Sequence, residues 1–142
     1  MQNEIKTFDV ETVNITVQEL LNDNNIDYNF KPENVSFLGE LQKSILIELI
    51  IINAMPEIEV SFYLSSNGKY IPFKGYEKLH ALIDFMDNKY KLFRLETLPE
   101  LKGKNFNELP YVMRADLEKP IIKCHFYKNL SFEELKYLNK KN

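Results

Sequence analysis

Hydrophobic and polar positions along this chain of 142 residues fall into stretches of two different periods. Glu57–Leu64 sets Ile58, Val60, Phe62 and Leu64 against Glu57, Glu59, Ser61 and Tyr63, the period of two expected of a half-buried strand. Asn67-Gly68 follows, a dipeptide suited to a tight hairpin, and Lys69–Phe73 is the expected return strand. Phe8–Ile15 and Pro120–Lys128 read as two further strands. Other stretches carry the helical period. In Leu38–Asn53 the residues Leu41, Ile45, Leu49 and Ile52 form an inward stripe thickened by Ile47, Ile50 and Ile51, although this β-branched content also suits a strand. Pro56 ends that stretch. Tyr76–Lys89 places Leu79, Leu82, Ile83 and Met86 inward.

Local chemistry marks where these elements start. Thr16 and Glu19 form a capping box for a short helix over Val17–Asn22, and Ser131 with Glu134 does the same for Ser131–Asn139. Asn22–Asn34 is polar and turn-rich, with Pro32 near its end. Leu101–Gly103 reads as a turn and Phe106–Glu118 holds another helix. Strands and helices alternate irregularly, and no linker or repeat interrupts them, so residues 1–142 are expected to form one α+β domain.

The segment Ser66–Leu82 is the most informative one: hairpin turn, strand, a Lys74-Gly75 break, then a helix. Such a junction points free backbone N–H groups and the positive end of a helix dipole at one spot, which suits a phosphate or carboxylate. Lys74, Gly75, Tyr76 and Lys78 are the candidate anion- or nucleotide-binding residues. The competing explanation is that Gly75 merely permits a tight turn and the lysines are solvated.

Composition narrows the partners. Apolar residues make up 44% and charged residues 27%, as in ordinary globular domains. A net charge of −3 argues against coating nucleic acid by bulk charge. That charge is uneven: residues 1–40 carry eight acids against Lys6 and Lys31, and residues 119–142 carry six lysines against Glu133 and Glu134. A single cysteine, Cys124, lies in an apolar run and reads as a buried structural thiol. No signal-peptide pattern opens the chain and the longest apolar run, Ile45–Ala54, is too short to span a bilayer, so a cytoplasmic protein without membrane contact is expected. His80 and His125 lack a matching carboxylate cluster, and no metal site or cofactor is expected.

The order of these pieces resembles the ParB-like (ParB/sulfiredoxin-type) nuclease domain family, as in the N-terminal domain of GmrSD-type restriction enzymes. The residues that carry the likeness are the helix Leu46-Ile-Glu-Leu-Ile-Ile-Ile-Asn53, the turn Met55-Pro56 and the hairpin Asn67-Gly-Lys-Tyr70. Leu98-Pro-Glu-Leu-Lys-Gly-Lys-Asn-Phe-Asn-Glu-Leu-Pro110 and Ser131-Phe-Glu-Glu-Leu-Lys-Tyr-Leu-Asn139 are similar to later family segments. The resemblance implies a compact domain with a small mixed sheet and a β-hairpin packed against several helices. The signature positions differ. Lys74-Gly-Tyr-Glu-Lys78 stands where the family has Asp-Gly-Gln-Gln-Arg, and Pro32-Glu-Asn-Val35 where it has Pro-x-x-Gln-Arg. Tyr137 replaces the arginine of Arg-Leu-Asn.

The resemblance therefore implies a catalytically degenerate domain acting by binding, with a nucleotide, a nucleic acid or a protein as partner, in a phage, mobile-element or defence setting. Tyr63, Tyr70, Tyr76, Phe73 and Tyr127 lie in the sequence beside or near Lys69, Lys74 and Lys128 and offer rings for base stacking, although strand aromatics are more often core. A second reading is a divergent nuclease or nucleoside-triphosphate hydrolase that uses Glu77, Lys78, His80 and Glu33. For His80 the plain alternative is packing against an aromatic ring. A third reading is a protein-binding inhibitor or subunit, suggested by the acidic first forty residues and by the end of the sequence soon after Asn139, where longer relatives continue.

Overall fold

A computed structural model describes residues 8–28, 30 and 37–140. The expectations for Lys31–Val35, Pro32 and Glu33 among them, lie outside the described residues. β1 (Val10–Thr16) runs into α1 (Val17–Leu21) through the capping box: Thr16 Oγ1 accepts the Glu19 N–H while the Glu19 carboxylate accepts the Thr16 N–H. α2 (Glu40–Ile51), β2 (Glu57–Leu64), β3 (Tyr70–Lys74) and α3 (Tyr76–Met86) follow. Two single 3-10 turns, Pro99–Leu101 and Phe106–Glu108, then lead to α4 (Tyr111–Asp116), β4 (Ile121–Tyr127) and α5 (Phe132–Lys140).

The four strands form one sheet in the order β1-β4-β2-β3. β2 and β4 run parallel, and the two outer pairings are antiparallel, so the sheet is mixed and the domain is α+β. The alternation read in β2 holds at Ile58, Val60 and Phe62, which are buried, and fails at the strand's last residue, Leu64, which is about two-fifths exposed. The three buried residues meet Ile122 and Cys124 of β4, Val17 and Leu20 of α1, and Leu79 and Leu82 of α3 in a single core. The opposite face of the sheet is open. There Thr12, Asn14, Glu57 and Glu59 are exposed, and Ser61, Lys123, His125 and Tyr127 are half-buried.

Two local departures shape the site. Pro72 sits on the edge strand β3, where its missing N–H leaves no ladder bond unmade. The register shifts beside it, so Lys74 lies opposite Ser61 and Pro72 opposite Phe62, with Phe73 as the extra residue. That bulge sends the Phe73 ring to the open face, against Tyr63 and Tyr127 at centroid distances of 6.0 and 5.6 Å.

α2 buries only part of the face expected for it: Ile47, Ile50 and Ile51 point inward as read, Leu49 is half-buried, and the Leu41, Ile45 and Ile52 stripe is displaced toward solvent. Leu41, Ile45 and Ile52 are about two-fifths exposed, and Ser44, Leu46 and Glu48 are buried in their stead. The reason is the irregular chain that follows α3, whose backbone donors need partners. Ser44 Oγ accepts the Phe93 N–H at 2.7 Å, and Glu48 Oε2 accepts the N–H groups of Thr97 and Leu98 at 2.7 Å each. Two polar residues thus fix the helix's inner face.

Candidate functional site

The junction of β3 and α3 is built on Gly75. Its φ of +79° is left-handed, a region that L side chains rarely adopt. A Cβ placed there would also stand 2.2 Å from the Glu59 carbonyl oxygen. The start of α3 is therefore pressed against the backbone of β2 at Glu59. That contact brings Lys74, Gly75, Glu77 and Lys78 into the wall of a cleft of about 970 Å³, whose other lining includes Glu57, Glu59, Ser61, His125 and Tyr127.

Strand register explains the rest of the wall. Thr12 lies opposite His125, His125 opposite Ser61, and Ser61 opposite Lys74, one row of polar residues across all four strands. Next to it runs a second row of Asn14, Lys123 and Glu59. Glu59 reaches across to the first row: its Oε2 is 2.5 Å from His125 Nε2, while Thr12 Oγ1 is 2.8 Å from His125 Nδ1. The imidazole is held at both nitrogens. The hydrogen bond from His125 lowers the pKa of the Glu59 carboxyl from its ordinary 4.5, against the effect of its partial burial. The charges of His125, Lys123 and Lys74 lower it further.

The sequence-derived candidates separate into three groups. Lys74, Gly75, Glu77 and Lys78 share the cleft. Tyr76 and His80 are only 4% and 5% exposed and do not line it. His80 Nε2 bonds the Tyr28 carbonyl oxygen at 2.6 Å, and its ring stacks on Phe37 beside Tyr76. Burial raises the Tyr76 phenol pKa, with a smaller push from Glu77. Glu33 lies outside the described residues. Among the described residues no group of three or more His, Cys, Asp or Glu side chains is placed to hold a metal ion.

Thr12, Glu59, Ser61 and His125 were not singled out by the sequence as one group. Their alternation with buried neighbours assigns each to the polar face. Their meeting depends on the parallel pairing of β2 with β4 across more than sixty positions, which no local pattern encodes. Chemically the cleft offers ammonium groups to an anion, carboxylates to hydroxyl or amine donors, and Tyr127 as an aromatic wall. Among the described residues no helix is long and apolar enough to cross a membrane. No protein-family model, no curated protein and no solved structure matches this chain.

Proposed function

We propose that the protein acts by binding, and that a nucleoside phosphate, free or at the end of a nucleic acid, is what its cleft takes. The scaffold would be a ParB-like domain in which Lys74–Lys78 has replaced an acidic signature. The observation that carries this reading is that Lys74 and Lys78 share one cleft with Glu57, Glu59 and Tyr127. Two lysines against the three glutamates Glu57, Glu59 and Glu77 make a poor site for a bare polyanion. A nucleoside phosphate supplies both kinds of group. Its phosphate suits the ammonium groups and the start of α3, its ribose hydroxyls suit a carboxylate, and its base suits the Tyr127 ring.

The test is thermal denaturation with adenosine 5′-monophosphate, adenosine 5′-triphosphate and a short single-stranded oligonucleotide. A ligand that binds the native state raises the melting temperature by mass action. Lys74→Ala and Lys78→Ala should each weaken binding about tenfold, the loss expected for one charge-assisted hydrogen bond. Unchanged affinity in both variants would remove the cleft as the binding site.

The exposed stripe of Leu41 and Ile45 on α2 and Ile52 just after it favours a protein partner as the second reading. Light scattering of wild type and Ile45→Ser decides whether that partner is a second copy. A self-associating wild type that turns monomeric on substitution supports it, and a wild type that is already monomeric rejects a second copy.

A further inference from the structure

We infer that anion binding in this cleft is coupled to protonation of His125, so that the imidazole supplies the cation the lysines leave wanting. The inference rests on the nucleotide-binding reading and deepens it. With His125 neutral, the charged side chains lining the cleft are Lys74 and Lys78 against Glu57, Glu59 and Glu77. One proton on His125 brings the two signs level. Histidine is the one side-chain type in this lining that can serve as either a neutral or a cationic group in a protein's working range.

The hydrogen bonds at His125 fit both charge states. In the neutral ring Nε2–H donates to Glu59 and Nδ1 accepts the Thr12 hydroxyl. In the imidazolium Nε2–H still donates to Glu59, and Nδ1–H donates to the Thr12 oxygen, whose own hydrogen turns away. A carbonyl on Nδ1 would accept only. A hydroxyl serves either charge state, so the ring takes up a proton without moving.

Polar and charged groups from the surrounding elements share the cleft or the strand rows with this ring. β1 offers the neutral Thr12 and Asn14, β2 offers Glu57, Glu59 and Ser61, and β3 offers Lys74. Lys123 and Tyr127 flank it on β4, and Glu77 and Lys78 approach from α3. Replacing His125 alone therefore separates its contribution to any pH-dependent affinity from that of these neighbours.

The probe is a nucleoside 5′-sulfate, whose anionic group does not titrate near neutrality, so any proton taken up belongs to the protein. Calorimetric titration at about pH 6 and about pH 8 should show about tenfold tighter binding at the lower pH. His125→Asn keeps hydrogen-bonding capacity without the charge, and should bind equally at both. Glu59→Gln removes the anion that favours the imidazolium, and should move the pH dependence downward. Equal wild-type affinity at both pH values, or a pH dependence that survives in His125→Asn, overturns the coupling and leaves the binding reading standing. Binding of the nucleoside phosphate without binding of the sulfate at about pH 6 also overturns it. If neither ligand binds at either pH, both readings fall.

Discussion

Gly75 has two separate reasons to be glycine: a left-handed backbone and the nearness of the Glu59 carbonyl oxygen, 2.2 Å from where a Cβ would stand. The first was legible as a break between strand and helix, and the second was not, because β2 meets that turn only through the folded sheet. Gly68 is left-handed too but has nothing within 4 Å of an added Cβ. Gly75→Ala should therefore cost at least about 2 kcal/mol, and Gly68→Ala about 1 kcal/mol, read from urea midpoints. Equal costs would contradict the close approach.

Glu59 carries a pH prediction of definite sign. Its folded pKa lies below the ordinary 4.5. The stability it contributes is therefore present above the unfolded value and lost as pH falls through the folded one. The stability gap between wild type and Glu59→Gln should shrink as pH falls below about 4.5. A gap that widens in acid would reverse the assignment.

At the scale of elements, strands and caps were easier to read than the faces of helices. The β2 alternation, the Asn67-Gly68 turn and the two capping boxes are local, so a short window of sequence contains everything that decides them. α2 is different. Apolar residues lie on both of its sides, Leu41, Ile45 and Ile52 outward and Ile47, Ile50 and Ile51 inward, so periodicity does not choose between them. What chooses is the demand of the 93–98 segment for hydrogen bonds from Ser44 and Glu48. Ile47→Ala should then cost about 3 kcal/mol and Ile45→Ala no more than about 1 kcal/mol. Glu48→Leu, which orphans two backbone N–H groups, should cost about 3 kcal/mol. Calorimetric or denaturant unfolding of the three variants checks the orientation, and a larger loss at Ile45 than at Ile47 would refute it.

At the scale of the molecule, the helices shield one face of a mixed sheet, and the bare face runs up to the start of α3. The sequence pointed to the α3 side of the cleft through Lys74, Gly75, Glu77 and Lys78. It missed the sheet side, where Thr12, Glu59, Ser61 and His125 come together from three strands. Those residues lie far apart along the chain, and only the strand order makes them neighbours.

The claim that a nucleoside phosphate occupies this cleft is tested most directly by two-dimensional amide NMR during titration with adenosine 5′-monophosphate. The account predicts saturable shifts centred on Ser61, Lys74 to Lys78, His125 and Tyr127, lost in Lys74→Ala/Lys78→Ala. Saturable shifts centred elsewhere, or none at millimolar ligand, would contradict it.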